Sequence, residues 1–233
     1  MEDLHERLAK TVARIRAQSS FSVEETERII RKYFTKIPKI SRFLVPAYQL
    51  DQKRVLEIGG SYGHTLYFWG PNSAAIEAST KCVEFMRALG VKVYELNVED
   101  DTEAIDEPFD VIFTNNLFEH LISPHLFLAR IHSILRPDGL LVVGHPLVPH
   151  GSTAWLWKLI GYRGWLADEH VNFFTPETAR LTLERGGYEV LDQWCPVIPL
   201  RWRWLHRLLL PFTVQVVSVC RRIEDYKYAA LTL

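Results

Sequence analysis

The chain has 233 residues, with 27 Lys and Arg against 28 Asp and Glu, and hydrophobic side chains make up 48% of it. These values exclude a disordered chain, a collagen-like fibre and a small disulfide scaffold, and the near-zero net charge argues against a chain built mainly to bind nucleic acid. The N-terminus is charged where a signal peptide would be apolar, and no run reaches the length of a transmembrane helix. The three cysteines are far apart and form no paired motif. We therefore predict a cytoplasmic protein.

The first part of the chain has helical patterns. They cover residues 3–17 and 23–36, and Ser22 precedes Glu25 at the spacing of a capping box. We interpret residues 1–50 as an N-terminal helical cap.

From residue 54 onward, short apolar runs alternate with helical patterns. The runs are continuous rather than alternating, which is typical of strands buried on both faces of a parallel sheet. The predicted strands are Val55–Ile58, Ala74–Ile76, Val91–Leu96, Val111–Phe113 and Leu140–Val143, and the helices between them are 63–69, 79–89 and 125–135. This alternation predicts an α/β fold.

After residue 145 the alternation breaks, and six of the seven tryptophans lie in this part of the chain. A helix is predicted at 176–185 and a strand at Tyr188–Trp194. An apolar helix near 202–222 and a last strand at Tyr226–Leu231 then complete the chain.

The strongest local signal lies where the first apolar run ends. Glu57 stands in the predicted strand, and Gly59, Gly60 and Gly63 follow in a turn. Glycines let the backbone approach a ligand closely, and Glu77 ends the next strand, where an α/β nucleotide fold places an acid for ribose hydroxyls. A tight turn that only needs glycine is the alternative. The glycine spacing fits a nicotinamide-binding fingerprint poorly, so an oxidoreductase is disfavoured.

This segment resembles the first motif of the class I S-adenosylmethionine-dependent methyltransferases, with Ser61 in place of the middle glycine. Later segments resemble further motifs of the small-molecule branch of that family. They are Asn97–Glu99, Phe109–Leu121 with its Glu-His-Leu sequence, Phe127–Val143 with its Leu-Arg-Pro-Asp-Gly turn, and His170–Thr178. The resemblance implies a Rossmann-like, seven-stranded, mostly parallel sheet flanked by helices, with an antiparallel last strand. It also implies a methyltransferase domain at 51–233 with insertions at 145–175 and 195–225.

The resemblance implies S-adenosylmethionine as the cofactor. The residues that match its binding positions are Glu57, Gly59, Gly60, Ser61, Gly63, Glu77, Ala78, Asn97, Val98 and Asn115. The expected reaction is methyl transfer to a small-molecule acceptor at oxygen, with sugar, lipid-linked and secondary-metabolite acceptors all fitting. The alternative is a methyltransferase-like binding or accessory protein without catalysis, which the altered residues Ser61 and Asn97 favour.

Methylation of a hydroxyl needs a base, and histidine is suited to that role. His120 and His170 lie where the family has its chemistry, and we predict both as catalytic. Capping of a helix by His120 and fixing of a loop by His170 are the alternatives. His64 and His145 are further histidines on the same side of the predicted sheet.

A metal-assisted variant is left open by the same residues. Some related methyltransferases hold a divalent ion with Glu-x-x-Glu-His, and the corresponding residues here are Asn116, Glu119 and His120, with His170 as a further ligand. Since Asn is a weaker ligand than Glu for a hard cation, we predict no metal.

The expected partner is the small-molecule acceptor, and no nucleic acid is expected. Residues 196–222 combine tryptophan and arginine with an apolar stripe, which also occurs in helices that lie on a membrane surface. A helix packed on the fold is the favoured interpretation of that segment. The oligomeric state is left open.

Overall fold

A computed structural model shows how the chain folds. It describes residues 4–35, 38–69, 72–100, 102, 105, 107–149, 151, 153–159, 161, 169–196, 202, 204–205, 208 and 210–227. The chain divides into two compact units, Met1–Asn97 and Val98–Leu233.

In the part of the first unit that the structure describes, there are four α-helices and three parallel strands. The helices are α1 (Leu4–Gln18), α2 (Val23–Ile29), α3 (Lys39–Tyr48) and α4 (Thr80–Leu89), and the strands are β1 (Val55–Ile58), β2 (Ala74–Glu77) and β3 (Lys92–Glu95). Ser22 caps α2 as its spacing predicts, because its hydroxyl accepts a hydrogen bond from the backbone N–H of Glu25 at 3.1 Å. The α2 helix continues into a π-helical turn at Ile30–Phe34.

The predicted helix at 63–69 is wrong. The structure has only a short 3₁₀ turn there, at Leu66–Phe68. The physical reason is the left-handed backbone of Gly63, with φ of 72°, which cannot be part of an α-helix. Chain reversal before β2 therefore uses turns.

Within its described residues, the second unit contains three α-helices and four strands. The helices are α5 (Pro124–Ile134), α6 (Ala154–Leu159) and α7 (Pro176–Arg185), and the strands are β4 (Phe109–Asn115), β5 (Leu135–Pro146), β6 (Tyr188–Trp194) and β7 (Gln215–Arg222). β4 and β5 are parallel, whereas β7 runs antiparallel between β5 and β6. The seven strands have the order β3-β2-β1-β4-β5-β7-β6. A mostly parallel, Rossmann-like sheet flanked by helices, with an antiparallel last strand, is thus confirmed.

The predicted apolar helix near 202–222 is also wrong. Its second half is the strand β7, in which residues 216–220 are all buried. Valines recur through this segment, and β-branched side chains favour strands. The predicted last strand Tyr226–Leu231 is not observed at residues 226–227, and its remainder lies outside the described residues.

The tryptophans divide between core and surface. Trp69 and Trp194 are fully buried, whereas Trp155 and Trp204 are about two-thirds exposed. Trp165 and the arginines at 201, 203 and 207 lie outside the described residues. Within the part of the chain that the structure describes, no helix is both long and apolar enough to cross a membrane.

Candidate functional site

The glycine turn of the first unit has an unusual backbone. Gly59, Ser61 and Gly63 all have positive φ, at 75°, 51° and 72°. A Cβ atom on Gly63 would lie 2.8 Å from Cγ of Met86, so a side chain would both strain the backbone and collide with α4. Position 63 therefore requires glycine for the turn to pack against α4.

Glu77 anchors this turn. Its carboxylate accepts hydrogen bonds from the backbone N–H groups of Ser61 and Ser79, each at 2.9 Å. A carboxylate has about four lone-pair positions, so Glu77 keeps acceptor capacity for further donors such as the two hydroxyls of a ribose. The side chain is half-buried at the end of β2, where a ligand can reach it.

Glu57 lies beneath the same turn. It is almost wholly buried, and burial raises its pKa to about 8, although hydrogen bonds from Thr65 and Leu66 oppose the rise. Its Oε2 atom has no hydrogen-bond partner, and a Cβ on Gly60 would lie 3.2 Å from it. Glu57 therefore lies next to the turn at Gly60, and it is mainly a neutral acid near pH 7.

The structure divides the predicted cofactor residues between the two units. Six of them lie together around the glycine turn: Glu57, Gly59, Gly60, Ser61, Gly63 and Glu77. Ala78 is exposed next to Glu77, and Asn97 is exposed after β3. Val98 and Asn115 belong to the second unit, where Val98 is buried and Asn115 is half-buried.

The second unit brings both predicted catalytic histidines together around an acid. The ligand atoms of Glu119, His120 and His170 all lie within 4.8 Å of one another. Nε2 of His120 is 3.8 Å and Nε2 of His170 is 4.0 Å from Oε1 of Glu119. Burial raises the pKa of Glu119, and its own backbone N–H and the two imidazoles oppose the rise. Oε2 of Glu119 is buried without a hydrogen-bond partner. A charge that enters the cluster therefore interacts strongly with this carboxyl group.

Backbone contacts fix the cluster. The carbonyl oxygen of Glu119 accepts hydrogen bonds from the N–H groups of Val171 and Asn172, at 3.0 and 2.9 Å. Nδ1 of His120 lies 2.9 Å from the carbonyl oxygen of Glu169, and since a carbonyl can only accept, Nδ1 carries the proton. A neutral His120 therefore has its lone pair on Nε2, on the side of Glu119.

The cluster lies on the wall of a cavity of about 320 Å³. The cavity is lined by Asn116, Glu119, His120, Pro146, Glu169, His170, Val214 and Gln215. It is large enough for part of a small molecule, and its polar lining suits an acceptor with hydroxyl groups.

An amide cluster forms another part of this region. Nε2 of Gln215 lies 3.3 Å from Oδ1 of both Asn115 and Asn116, and Asn116 has a left-handed backbone with φ of 55°. A Cβ on Gly144 would lie 2.2 Å from Oδ1 of Asn115, so the absence of a side chain there makes room for the amide. Gln215 thus holds the two asparagines at the end of β4 in fixed positions.

Two residues of this region are not among the predicted site residues. Glu119 is expected only as a possible metal ligand, although its place beside His120 in the Glu-His-Leu sequence is a usable signal. Gln215 has no such signal, because the sequence around it predicts a helix and does not indicate a cavity wall.

His145 does not join the cluster. It is fully buried, its ring lies 5.9 Å from that of Phe118 and 5.1 Å from that of Phe174, and Nδ1 donates to the carbonyl of Pro146. Burial lowers its pKa to about 4, so it stays neutral in the native state. We interpret it as a core residue.

This burial predicts acid sensitivity. Below about pH 6.5 the unfolded chain protonates His145 but the native state does not, so the free energy of unfolding falls by about 1.4 kcal/mol per pH unit until the pH nears the native pKa. His145→Phe removes this loss. We expect wild type to lose about 4–8 °C more in Tm than the variant between about pH 7 and pH 5. Differential scanning calorimetry measures both, and parallel Tm curves would contradict the assignment.

Comparisons with known proteins agree with this architecture. A family model described as a methyltransferase domain matches residues 26–193. The chain is 24% identical over 118 residues to a ubiquinone biosynthesis O-methyltransferase of Cereibacter sphaeroides, covering 48% of this chain and 47% of that protein. It is 27% identical over 121 residues to a protein of the same name from Maricaulis maris, covering 49% and 44%. The chain therefore matches about half the length of these curated relatives.

A solved structure shows the same fold. An S-adenosylmethionine-dependent methyltransferase from Clostridium acetobutylicum is similar to this chain with a TM-score of 0.58 at 12% sequence identity. The match covers 84% of this chain and 96% of that one. At this identity the likeness shows the fold alone.

Proposed function

The chain belongs to the methyltransferase domain family, and from that premise we propose that it transfers a methyl group from S-adenosylmethionine to an oxygen of a small-molecule acceptor. One observation is central to the proposal. Nε2 of His120 lies 3.8 Å from Oε1 of the buried Glu119 on the wall of a polar cavity, and Nδ1 of the same ring is held by the carbonyl oxygen of Glu169. Two curated relatives are named O-methyltransferases, which supports oxygen as the attacked atom.

The residues of the first unit fit this cofactor. Glu77 has acceptor positions left for ribose hydroxyls, and its carboxylate also holds the glycine turn through the N–H of Ser61. When bound, this cofactor would supply a methyl group on a sulfonium that the acceptor oxygen could attack directly, with the electron pair of the carbon–sulfur bond left on sulfur.

The residues of the second unit manage the proton. Nε2 of His120 takes the proton of the acceptor hydroxyl, and Glu119, 3.8 Å away, stabilises the imidazolium that forms. The hydrogen bond from Nδ1 to the carbonyl of Glu169 keeps the ring oriented throughout. The acceptor thereby becomes a stronger nucleophile as it attacks.

The direct test uses the full chain with S-adenosylmethionine and a panel of sugars, phenols and lipid-linked alcohols. We expect the cofactor to raise Tm. With at least one hydroxylated acceptor, we expect release of S-adenosylhomocysteine from the cofactor and a gain of about 14 Da, the mass of one CH₂, in the acceptor by mass spectrometry. A cofactor that raises Tm without turnover on any acceptor would favour a binding or accessory protein instead. A cofactor that leaves Tm unchanged would contradict the proposal.

The amide cluster gives a prediction for this reaction. Gln215→Leu removes the donor shared by Asn115 and Asn116, so we expect kcat/KM to fall by about 10-fold. Gln193→Leu is the matched control, because Gln193 also donates two hydrogen bonds but does not line the cavity. Equal losses in the two variants would show that Gln215 acts only on stability.

A metal-assisted version of the reaction is the second candidate. It is favoured by the convergence of Glu119, His120 and His170, because Nε2 of neutral His120 and Oε1 of Glu119 are both acceptors and a cation between them would satisfy both. Two imidazoles and a carboxylate are suitable ligands for a divalent transition metal. Such an ion would polarise the acceptor oxygen.

Metal removal separates the two versions. With a metal, enzyme treated with EDTA loses activity and regains it with Mn²⁺, and calorimetric titration with MnCl₂ gives one site that Glu119→Ala abolishes. In the metal-free reaction, activity is full in EDTA and the titration gives no heat. His125→Asn provides the control for nonspecific ion binding, since His125 is an exposed histidine of α5.

A further inference from the structure

The π-helical turn at Ile30–Phe34 makes a specific contact with the glycine turn. Such turns are rare and are frequently found at functional sites. Here the turn places Tyr33 with its ring centroid 5.6 Å from that of Tyr62 and 5.3 Å from that of His64. Both distances are within the range of favourable aromatic contacts, about 4.5–7 Å. Tyr62 is inside the glycine turn, and His64 follows it directly.

The glycine turn needs such support. Three of its residues have positive φ values. This backbone conformation is costly for Ser61, which is not a glycine, and it persists only where the surrounding structure holds it. Glu77 holds one side of the turn through the N–H of Ser61. The other side has the rings of Tyr62 and His64.

Packing, rather than hydrogen bonding at Nδ1, holds His64. The Nδ1 atom is buried without a partner, and burial lowers the pKa of the ring, which is therefore neutral. Tyr33 and Phe34 both lie against it, with Phe34 at 6.4 Å. Tyr62 is held in turn by Tyr33 and by Phe85 at 5.3 Å. Tyr33 thus contacts both of these rings.

We propose that Tyr33 is a positioning residue for the cofactor. Its ring holds Tyr62 and His64, and through them it keeps the backbone of the glycine turn in the conformation that binds S-adenosylmethionine. The proposal rests on the proposed function in one respect, namely that this turn binds that cofactor. It gives the N-terminal segment, which the sequence indicates as a helical cap, a part in cofactor affinity.

Calorimetric titration of the full chain with S-adenosylhomocysteine tests the role. We expect Tyr33→Leu to bind about 10-fold more weakly, which is what the loss of two aromatic contacts would give. Tyr33→Phe should bind like wild type, because the ring and not the hydroxyl makes the contacts. Hydrogen exchange at the amides of residues 61–64 should become faster in Tyr33→Leu.

Phe21→Leu is the matched control. Phe21 belongs to the same buried cluster and packs on Phe85 at 5.2 Å, so its loss should lower Tm while leaving the affinity unchanged. His64→Ala is a second variant, expected to weaken binding in the same direction should Tyr33→Leu fail to fold. Wild-type affinity in both Tyr33→Leu and His64→Ala would overturn the role. An equal loss of affinity in Phe21→Leu would also overturn it. Wild-type protein that binds no S-adenosylhomocysteine would contradict the proposed function itself, and Tyr33 would lose its role with it.

Discussion

Replacement of His120 by Asn is expected to reduce kcat by about 10²–10⁴-fold while S-adenosylhomocysteine binds as before. The size of the effect is that of a lost general base. Asn places an amide near the position of Nδ1, so it can still donate to the carbonyl of Glu169, but it has no atom at the position of Nε2. The variant therefore removes the base while keeping the local hydrogen bond. Rates are measured as S-adenosylhomocysteine release from the best acceptor of the panel.

The control for this variant is His125→Asn, which makes the same chemical change on the exposed face of α5. Its kcat should equal that of wild type. Should His120→Asn keep more than about a tenth of the wild-type kcat, general-base catalysis by this residue would be ruled out. The cluster would then be explained better by its role in holding the segment around Glu169.

Replacement of Glu77 by Ala is expected to weaken S-adenosylhomocysteine binding by about 10–100-fold. A hydrogen bond to a charged group contributes about 1.5–3 kcal/mol, and Ala would remove the proposed bond from the ribose to Glu77. It also frees the backbone N–H groups of Ser61 and Ser79, so the glycine turn loses its anchor. Both effects act in the same direction, and calorimetric titration measures their sum.

Glu95→Ala is the matched control for Glu77. Glu95 is the register partner of Glu77 on β3, and its carboxylate pairs with Arg87 at 3.0 Å on the surface. Exposed ion pairs contribute little, so the affinity should not change. Unchanged affinity in Glu77→Ala would show that the cofactor is held elsewhere.

The parallel strands and the glycine turn could be predicted because their signals are local. The run Val55–Ile58, which contains Glu57 and is followed by glycines, has few alternative structures, and Glu77 follows at the end of the next strand. The meeting of His120 with His170 could be predicted only through the family resemblance, since nothing in the intervening fifty or so residues indicates their proximity. Their catalytic role stays a prediction.

The segment around Gln215 could not be predicted because a short apolar run without periodicity fits a buried helix and a buried strand equally well. Its pairing with β5 and β6 decides the structure, and such pairing is not visible in a single sequence. The role of Tyr33 could not be predicted for a related reason. A π-helical turn changes which side of a helix a residue faces, and no sequence pattern indicates such a turn.

Trp69 makes the first unit distinguishable by NMR. It is the single tryptophan in residues 1–97, it is fully buried, and its indole N–H donates to the hydroxyl of Ser41 at 2.8 Å. Incorporation of 5-fluorotryptophan would therefore give this unit one ¹⁹F resonance of its own, which Trp69→Phe would identify. A shift of that resonance on cofactor addition would report on the glycine turn's unit without any assay of turnover.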